Sequence, residues 1–365
     1  MHLPERTLMG PGPSTVPSRV LRAMAAPTIG HLDPRFLEIM DSTCAKLRKV
    51  FETTNELTFP VSATGMGGME CVVNNLLEPG EEAIVCVNGL FGQRMVDVME
   101  RAGVTVHRVE VPWGESFPLE TLADAVARHR KAKALGIVHA ETSTGAHQPL
   151  EGLGDLLHDA GMLFLVDAVT SLGGQPVKVD EWGIDAVYSA TQKCLSCPPG
   201  LSPVSFSPLA LEMIRMRKTP VRSWYFDVPM LKDYIRGNLK RVYHHTAPVN
   251  LVYALHEALV AVLEEGLEAR HARHHRLHRR LRAGLESMGL RYVPDHSLPV
   301  LNCIHVPAGA DDAAVRAKLL DDYSIEIGGG LGPLAGKAWR IGLMGHAATQ
   351  ANVDLLLAAL VDCLE

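Results

Sequence analysis

Two short apolar segments, each followed closely by a polar side chain, constrain the fold of this chain most strongly. Residues 162–166 are apolar and end at Asp167, and a second apolar segment, residues 184–188, shortly precedes Lys193. Such short apolar runs are typical of strands buried on both faces of a parallel sheet. Because open α/β sheets bind ligands at the carboxyl ends of their strands, Asp167 and Lys193 are predicted to share one site.

The pair itself allows two interpretations. Asp167 and Lys193 either form a salt bridge that caps two neighbouring strands, or they are two fixtures of a pyridoxal phosphate (PLP) site. A PLP enzyme needs a carboxylate against the pyridinium nitrogen and a lysine that forms a Schiff base. The two residues alone leave both interpretations open.

Apolar runs alternate with helical patterns over the first 206 residues. This alternation predicts an α/β fold with a mostly parallel central sheet covered by helices. Helices are predicted near residues 69–77, 93–102, 119–129 and 150–160. The predicted strands are residues 57–61, 83–87, 104–111, 134–138, 162–167, 184–189 and 204–206.

The pattern changes after residue 206. Residues 251–288 are predicted to form a long helical region broken near Gly266, and strands then alternate with helices in a smaller α+β domain. We therefore expect an N-terminal arm over residues 1–20, a large domain over 21–262 and a small C-terminal domain over 263–365.

A densely basic segment covers residues 270–282. It would be either a phosphate-binding or metal-binding face or simply the solvated side of a surface helix. Leu277, Leu281 and Leu285 recur at helical spacing beneath the charges, which favours the solvated helix.

Composition excludes several classes of protein. The 365 residues carry 35 Lys and Arg against 41 Asp and Glu, a net charge of −6, which argues against a nucleic-acid binder. No apolar run is long enough for a signal peptide or a membrane span. The seven cysteines do not form the pattern of a disulfide framework. We expect a reduced, cytoplasmic protein without nucleic-acid or membrane partners.

Three local motifs suggest binding sites. Residues 64–70, Thr-Gly-Met-Gly-Gly-Met-Glu, follow a strand and open a helix, where backbone N–H groups favour a phosphate, although glycine-rich turns are common. Residues 328–337 lack the spacing of a nucleotide-binding loop and are interpreted as a mobile or tightly turned loop bordering the site. Arg340, inside an apolar strand pattern, is either a structural ion pair or a clamp for a substrate carboxylate.

Cys194 and Cys197 have the spacing of half a zinc site or a redox motif. The other cysteines are scattered singly, so no metal site is expected. The two are interpreted as small residues that pack beside Lys193.

Taken together, these motifs resemble those of the alanine–glyoxylate and serine–pyruvate aminotransferases, class V enzymes of PLP fold type I. The resemblance spans almost the whole chain. It rests on residues 10–13, 77–80, 88–94, 141–145, 166–174, 192–193, 198–200, 243–246 and 340–342.

The resemblance implies a role for individual residues. Lys193 would be the Schiff-base lysine and general acid/base, and Asp167 the partner of the ring nitrogen. Arg340 would bind the substrate carboxylate, with Gly30 at the mouth of the site near His31. The cofactor would be held by Thr64, Gly65, Met66, Phe91, Thr142, Val169, Gln192, Tyr243 and Thr246 in addition to Lys193 and Asp167.

Within that set, Phe91 would stack over the ring, Val169 would pack under it and Thr142 would lie at its edge. Tyr243 and Thr246 would reach the phosphate of the neighbouring subunit, which implies a homodimer with shared sites. Phe91 stands where the animal enzymes have a tryptophan, and Met66 where they have a histidine.

The implied reaction is a ping-pong transamination of small amino acid and oxo acid substrates, from alanine or serine to glyoxylate or pyruvate. Two other hypotheses remain. A class V lyase or desulfurase would share the PLP residues but usually carries a mobile nucleophilic cysteine, and neither Cys303 nor Cys363 has that loop context. A cofactor-free binding scaffold of the same fold would need no lysine at position 193.

Overall fold

The computed structural model describes residues 3–235 and 241–364. Residues 1, 2, 236–240 and 365, which fall within the three predicted regions, lie outside the described residues. In chain order the strands are β1 (Thr7–Leu8), β2 (Leu57–Val61), β3 (Glu82–Val87), β4 (Thr105–Glu110), β5 (Ala132–Val138), β6 (Ala140–Glu141), β7 (Ala146–His147), β8 (Leu163–Asp167), β9 (Ala186–Tyr188), β10 (Ser202–Phe206), β11 (Leu301–His305), β12 (Ile325–Glu326), β13 (Gly328–Gly329) and β14 (Ala338–Gly342).

The helices surround these strands, and short 3-10 helices lie at Gly332–Leu334 and Gly345–Ala347. The α-helices are α1 (Ser18–Met24), α2 (Pro34–Val50), α3 (Gly65–Leu76), α4 (Leu90–Arg101), α5 (Leu119–Arg128), α6 (Leu153–Asp159), α7 (Pro208–Arg215), α8 (Val228–Ile235), α9 (Val249–Glu265), α10 (Leu267–Ser287), α11 (Asp312–Tyr323) and α12 (Gln350–Leu364).

A seven-stranded sheet in the order β2-β10-β9-β8-β5-β3-β4 forms the centre of the larger part of the chain. Only β10 runs antiparallel to its neighbours, so the predicted mostly parallel sheet is confirmed. Helices cover the sheet, and every residue of β2, β8 and β10 is buried, which explains their apolar sequences. All seven predicted strand segments form strands of this sheet, with small shifts at their ends.

Helix α3 begins earlier than predicted. The sequence suggested a turn up to residue 68, but Gly65, Gly67 and Gly68 form the first turn of the helix. Close packing explains the glycines: a Cβ at Gly67 would lie 2.4 Å from Cβ of Ala63, and one at Gly68 would lie 2.0 Å from Oγ of Ser202. The glycine cluster therefore allows the helix to start directly against the sheet.

The C-terminal part has its own antiparallel sheet, in the order β11-β14-β13, and its own hydrophobic cluster. Met9 of the N-terminal segment belongs to this cluster, and β1 pairs with β12. The expected small α+β fold is confirmed, while its predicted boundaries at residues 20 and 262 stay predictions. The N-terminal segment is thus attached to the C-terminal sheet domain.

The prediction of a solvated basic helix is wrong for one face of α10. Leu277, Leu281 and Leu285 are buried as expected, but Arg270, His274 and His278 are buried as well. Arg270 has partners in the interior, because it donates to the carbonyl oxygens of residues 173 and 194 at 2.6 and 2.7 Å. Within the described residues, no helix has the length and apolarity that crossing a membrane requires.

Candidate active site

Asp167 is the last residue of β8 and is almost completely buried. The backbone N–H of Val169 donates to Oδ1 at 2.8 Å, and the hydroxyl of Tyr188 donates to Oδ2 at 2.7 Å. Burial raises the pKa of Asp167 to about 7, although both hydrogen bonds and the charge of Lys193 act in the opposite direction. A cation placed against this carboxylate would therefore stabilise its ionised form.

Lys193 lies in the turn region after β9 and is only 8% exposed. Its ammonium group donates to the carbonyl oxygen of Pro11. Burial lowers the pKa of Lys193 to about 8, and the positive charge of Arg340 lowers it further. The pKa of the amine is therefore close enough to neutral pH for Lys193 to act as a general acid/base.

The N-terminal segment covers this lysine more closely than its sequence indicated. Gly12 has φ +111°, and a Cβ there would lie 2.8 Å from both Cδ and Nζ of Lys193. Ser14 donates through Oγ to the carbonyl oxygen of Lys193 at 2.6 Å and through N–H to that of Gln192 at 2.8 Å. The segment predicted as an extended arm therefore forms one wall of the site.

The salt-bridge interpretation of Asp167 and Lys193 is wrong. In the described part of the chain the two side chains make no direct ion pair, since their polar atoms contact Val169, Tyr188 and Pro11. Each charge still shifts the pKa of the other. The two groups thus face one region without neutralising each other by contact.

The predicted phosphate turn lies at the start of α3, a helix of twelve residues. Thr64 is its exposed N-cap residue, and its side chain makes no capping hydrogen bond. A Cβ at Gly65 would lie 2.9 Å from Cβ of Ala190 and 3.3 Å from Cγ2 of Val169, so the helix start touches the residue predicted to lie under the ring. Such a helix N-terminus favours an anion.

Two further predicted residues lie near this turn in sequence or space. Met66 is half-buried in the first turn of α3, and Oε1 of Gln192 is buried without a hydrogen-bond partner among the described residues. Because buried polar atoms are normally paired, this oxygen is free to accept a hydrogen bond from a further donor.

Glu141 is a completely buried carboxylate to which the sequence assigned no role. Its Oε2 accepts the backbone N–H of Phe91 at 3.0 Å and that of Gly92 at 3.3 Å. Its Oε1 accepts both the N–H and the hydroxyl of Ser143, at 3.0 and 2.6 Å. Burial raises the pKa of Glu141, while these hydrogen bonds oppose the rise.

Arg340 lies in β14, 7% exposed, with its guanidinium directed to backbone carbonyls. Nε donates to the oxygen of Gly329 at 2.8 Å and Nη1 to that of Thr142 at 3.2 Å. Among the described residues no carboxylate forms an ion pair with it, so the structural ion-pair interpretation is wrong. The glycine-rich stretch at 328–337 borders the site, as predicted, through Gly329.

Thr142 joins several parts of the site. Besides its carbonyl contact with Arg340, its hydroxyl shares a hydrogen bond with that of Thr170, in the segment that follows Asp167. Residues predicted from separate motifs are thus brought together around one space: Lys193, Asp167, Val169, Thr142, Gly65 and Arg340.

Tyr243, Thr246 and Gly30 are exposed and are not brought into this group within one chain. The ring of Tyr243, 59% exposed, lies 5.5 Å from that of His31. The neighbouring His245 points inward instead, with Nε2 2.7 Å from Oγ of Ser62. Tyr243 therefore lies on the exposed surface close to the residue that follows Gly30.

Three residues contact the predicted site residues although the sequence did not indicate it: Tyr188, Glu141 and Pro11. Tyr188 was treated only as a strand residue, although its register with Asp167 across β8 and β9 places the two side by side. Glu141 carried a signal, since a charge beside an apolar strand needs internal partners.

The cysteines near the site are buried, which disfavours their thiolate form. Burial raises the pKa of both Cys194 and Cys303 to about 12, and Cys194 donates to the carbonyl oxygen of Thr170. Across residues 3–235 and 241–364, no cluster of three or more His, Cys, Asp or Glu side chains is suited to a metal ion.

The fold, with Asp167 and Arg340 both close enough to Lys193 to shift its pKa, is that of a PLP-dependent aminotransferase. A family model described as aminotransferase class-V matches residues 7–356. The chain belongs to the class-V aminotransferase family and is a transaminase, as its sequence motifs predicted.

Named relatives are similar over the full length. The chain is 40% identical to the (S)-ureidoglycine–glyoxylate transaminase of Bacillus subtilis, covering 98% of this chain and 90% of the relative. It is 41% identical to the mouse alanine–glyoxylate aminotransferase, covering 100% and 89%. The crystal structure of the Nostoc alanine–glyoxylate aminotransferase matches with a TM-score of 0.97 and 47% identity, covering 100% of this chain and 97% of that one.

Proposed function

We propose that this transaminase binds PLP at Lys193 and moves the amino group of a small amino acid, alanine or serine, to glyoxylate or pyruvate. The observation that carries the proposal is Arg340, a buried guanidinium held by two backbone carbonyls and close enough to Lys193 to lower its pKa. Donors and acceptors of this reaction share a carboxylate, which this group is placed to bind. Both relatives described above are glyoxylate aminotransferases, which supports glyoxylate as the acceptor.

The residues present fit PLP. The start of α3 offers an anion site without a side-chain cap, and Gly65 allows the backbone to approach Val169 closely. Asp167 and Lys193 do not form an ion pair with each other. Asp167 can therefore face the ring nitrogen of PLP while Lys193 reaches its carbonyl carbon. PLP, when bound, supplies an electron sink for the charge left at Cα of the amino acid.

Asp167 would hold the ring nitrogen in its protonated form. Its two oxygens are oriented by Val169 and Tyr188, so the carboxylate cannot rotate away. Burial raises its pKa to about 7 despite the two hydrogen bonds, and an adjacent pyridinium charge would lower the pKa and keep Asp167 ionised at neutral pH.

Lys193 would carry the cofactor at rest and then move protons. Its Nζ takes the proton from Cα of the amino donor, and burial favours the neutral amine that this step needs. Pro11 and Gly12 lie against the side chain and limit the positions open to Nζ. The wall formed by the N-terminal segment also excludes water from the lysine.

Arg340 would bind the carboxylate of donor and acceptor alike. Its Nε and one Nη1 hydrogen are committed to carbonyl oxygens, which fix the plane of the guanidinium. A planar donor set held in this way orients the substrate as well as binding it. Because the sequence offers one such clamp, small uncharged side chains are the expected donors.

A homodimer with shared sites is part of the proposal. Val242, Tyr243 and Trp224 are 59%, 59% and 60% exposed, which is unusual for apolar side chains in one area of a monomer. Tyr243 and Thr246 of one subunit would reach the phosphate bound in the other, with Gly30 and His31 at the same junction.

We propose a cytoplasmic location and partners limited to small amino and oxo acids. The support is the mild negative charge and the absence of disulfides among the seven cysteines, all of which are free thiols. This expectation is tested by fractionating the cells that produce the protein.

An absorbance scan followed by a donor–acceptor matrix tests the proposed function. The purified protein should be yellow and should convert alanine with glyoxylate into pyruvate and glycine in equal amounts, with serine, (S)-ureidoglycine and pyruvate as further arms. Lys193→Ala is the matched control and should lack both the band and the activity. A protein that stays colourless after PLP is added would support the hypothesis of a cofactor-free scaffold. Elimination products without transfer of the amino group would support the lyase hypothesis.

A further inference from the structure

We propose that Glu141 is a positioning residue: an ionised strut that fixes Phe91 and Thr142 relative to each other on two sides of the cofactor. The inference rests on the proposed function, because the placement of these two residues matters to catalysis only if PLP lies between them.

The first end of the strut is the start of α4. The helix begins after Gly89, which has no side chain to cap it, and Glu141 supplies the cap from another segment by accepting the N–H groups of Phe91 and Gly92. A Cβ at Gly89 would lie 2.3 Å from Cγ of Glu141, so the carboxylate side chain occupies the space of a normal cap. A negative charge at a helix N-terminus is also electrostatically favourable.

The second end is the turn at residues 142–143. Oε1 of Glu141 accepts the N–H and the hydroxyl of Ser143, and Oγ of Ser143 accepts the N–H of Leu90 at 2.9 Å. The turn and the helix start are therefore tied together through one carboxylate and one hydroxyl. Thr142 lies inside this tie, and its carbonyl holds Arg340.

The hydrogen bonds favour the ionised form of Glu141, against the effect of burial. Four donor hydrogens converge on its two oxygens, from Phe91, Gly92 and twice from Ser143. A protonated carboxyl or an amide would place its own hydrogen against one of these donors. Lys193 and Arg340 supply the nearby positive charge that compensates the buried anion.

Glu141→Gln tests the strut, because the change keeps the shape and replaces one acceptor by a donor. PLP is titrated into the apo-protein, and both the dissociation constant and the visible circular dichroism per bound PLP are measured. We expect the dissociation constant to rise by about tenfold or more, since hydrogen bonds to a buried charge are lost. The dichroism should fall because Phe91 no longer holds the ring in one orientation.

A destabilised control separates positioning from simple loss of stability. Leu47→Ala removes a fully buried side chain of α2 and should lower the melting temperature while leaving PLP affinity and dichroism close to wild type. Michaelis constants for alanine and glyoxylate should rise together in Glu141→Gln alone, because the Thr142 carbonyl no longer fixes Arg340. If Glu141→Gln does not fold, the same measurements are made on Ser143→Ala. The expected changes in the dissociation constant and the dichroism are then smaller.

Unchanged affinity and dichroism in the Glu141 variant, or equal losses in Leu47→Ala, would overturn the inference. Failure of the wild-type protein to bind PLP would instead refute the proposed function and take this inference with it, so the two failures are distinguishable.

Discussion

Tyr188 donates its hydroxyl hydrogen to Oδ2 of Asp167 over 2.7 Å, and the two residues are direct partners across β8 and β9. Both side chains are buried, so the phenol replaces water as the hydrogen-bond donor to this carboxylate. The contact favours the charged form of Asp167 in a place where burial favours the neutral form. The strand pair therefore tunes the group that is proposed to face the ring nitrogen.

Tyr188→Phe should raise the pKa of Asp167 further, because the carboxylate then keeps one of its two hydrogen bonds, that from the backbone N–H of Val169, besides the charge of Lys193. A hydrogen bond to a charged group contributes about 1.5–3 kcal/mol, equivalent to about one to two pH units. We expect the acidic limb of the kcat/KM profile to move to higher pH by about one unit. A lower melting temperature with an unshifted limb would mean that Tyr188 only stabilises the fold.

Asp167→Asn should change the pH dependence of stability in the apo-protein. The folded-state pKa of Asp167 lies above the ordinary value, so its burial costs nothing below about pH 4 and progressively more as the pH rises to about 7. The wild type should therefore lose stability relative to the variant over that window, on the order of 4 kcal/mol.

Urea unfolding of both apo-proteins at pH 4.5 and 8 measures this difference directly. PLP should remove it in the wild type, because a pyridinium partner favours the ionised carboxylate. A difference in stability that does not vary with pH would show that Asp167 is already ionised without a partner.

Arg340→Lys should raise the apparent KM for alanine and glyoxylate together, with a normal visible spectrum. A lysine cannot donate to the Gly329 and Thr142 carbonyls and bind a carboxylate in the same plane. We expect kcat/KM for each substrate to fall at least about 30-fold, from a loss of at least about 2 kcal/mol. An effect on one substrate only would show that the two use different anchors.

Mixing two inactive variants tests the shared site. Lys193→Ala and the double variant Tyr243→Phe with Thr246→Ala should together form heterodimers in which one site has an intact lysine and an intact partner loop. Activity should return up to about a quarter of the wild type, assuming random subunit exchange at equal amounts of the two variants. Exchange that is verified by mass but restores no activity would place the loop in its own subunit's site.

Much of this arrangement could be predicted because local sequence carries it. The apolar runs that end at Asp167 and precede Lys193 identified buried strands and their functional edge, since burial on both faces leaves a clear pattern. Arg340 was recognised as a candidate because a charge interrupts an apolar strand. These signals depend on neighbours along the chain.

The contacts that were missed depend on distant segments. Pro11 meets Lys193 across 182 positions, and Phe91 meets Glu141 across 50, so no periodicity reveals either pairing. The buried face of α10 was missed for the same reason, because Arg270 finds its partners in the loops at residues 173 and 194. Likewise, the sequence gives no reason for a glycine at position 12, because the reason is the close approach of the Lys193 side chain.

Borohydride reduction of the protein with PLP, followed by peptide mapping, tests the central claim most directly. Reduction should bleach the visible band and leave the cofactor covalently attached to the peptide that contains Lys193, in one equivalent per chain. Lys193→Ala should show neither the band nor the attachment. Stable attachment of the cofactor to a different lysine, or its absence from a protein that still transaminates, would contradict the account.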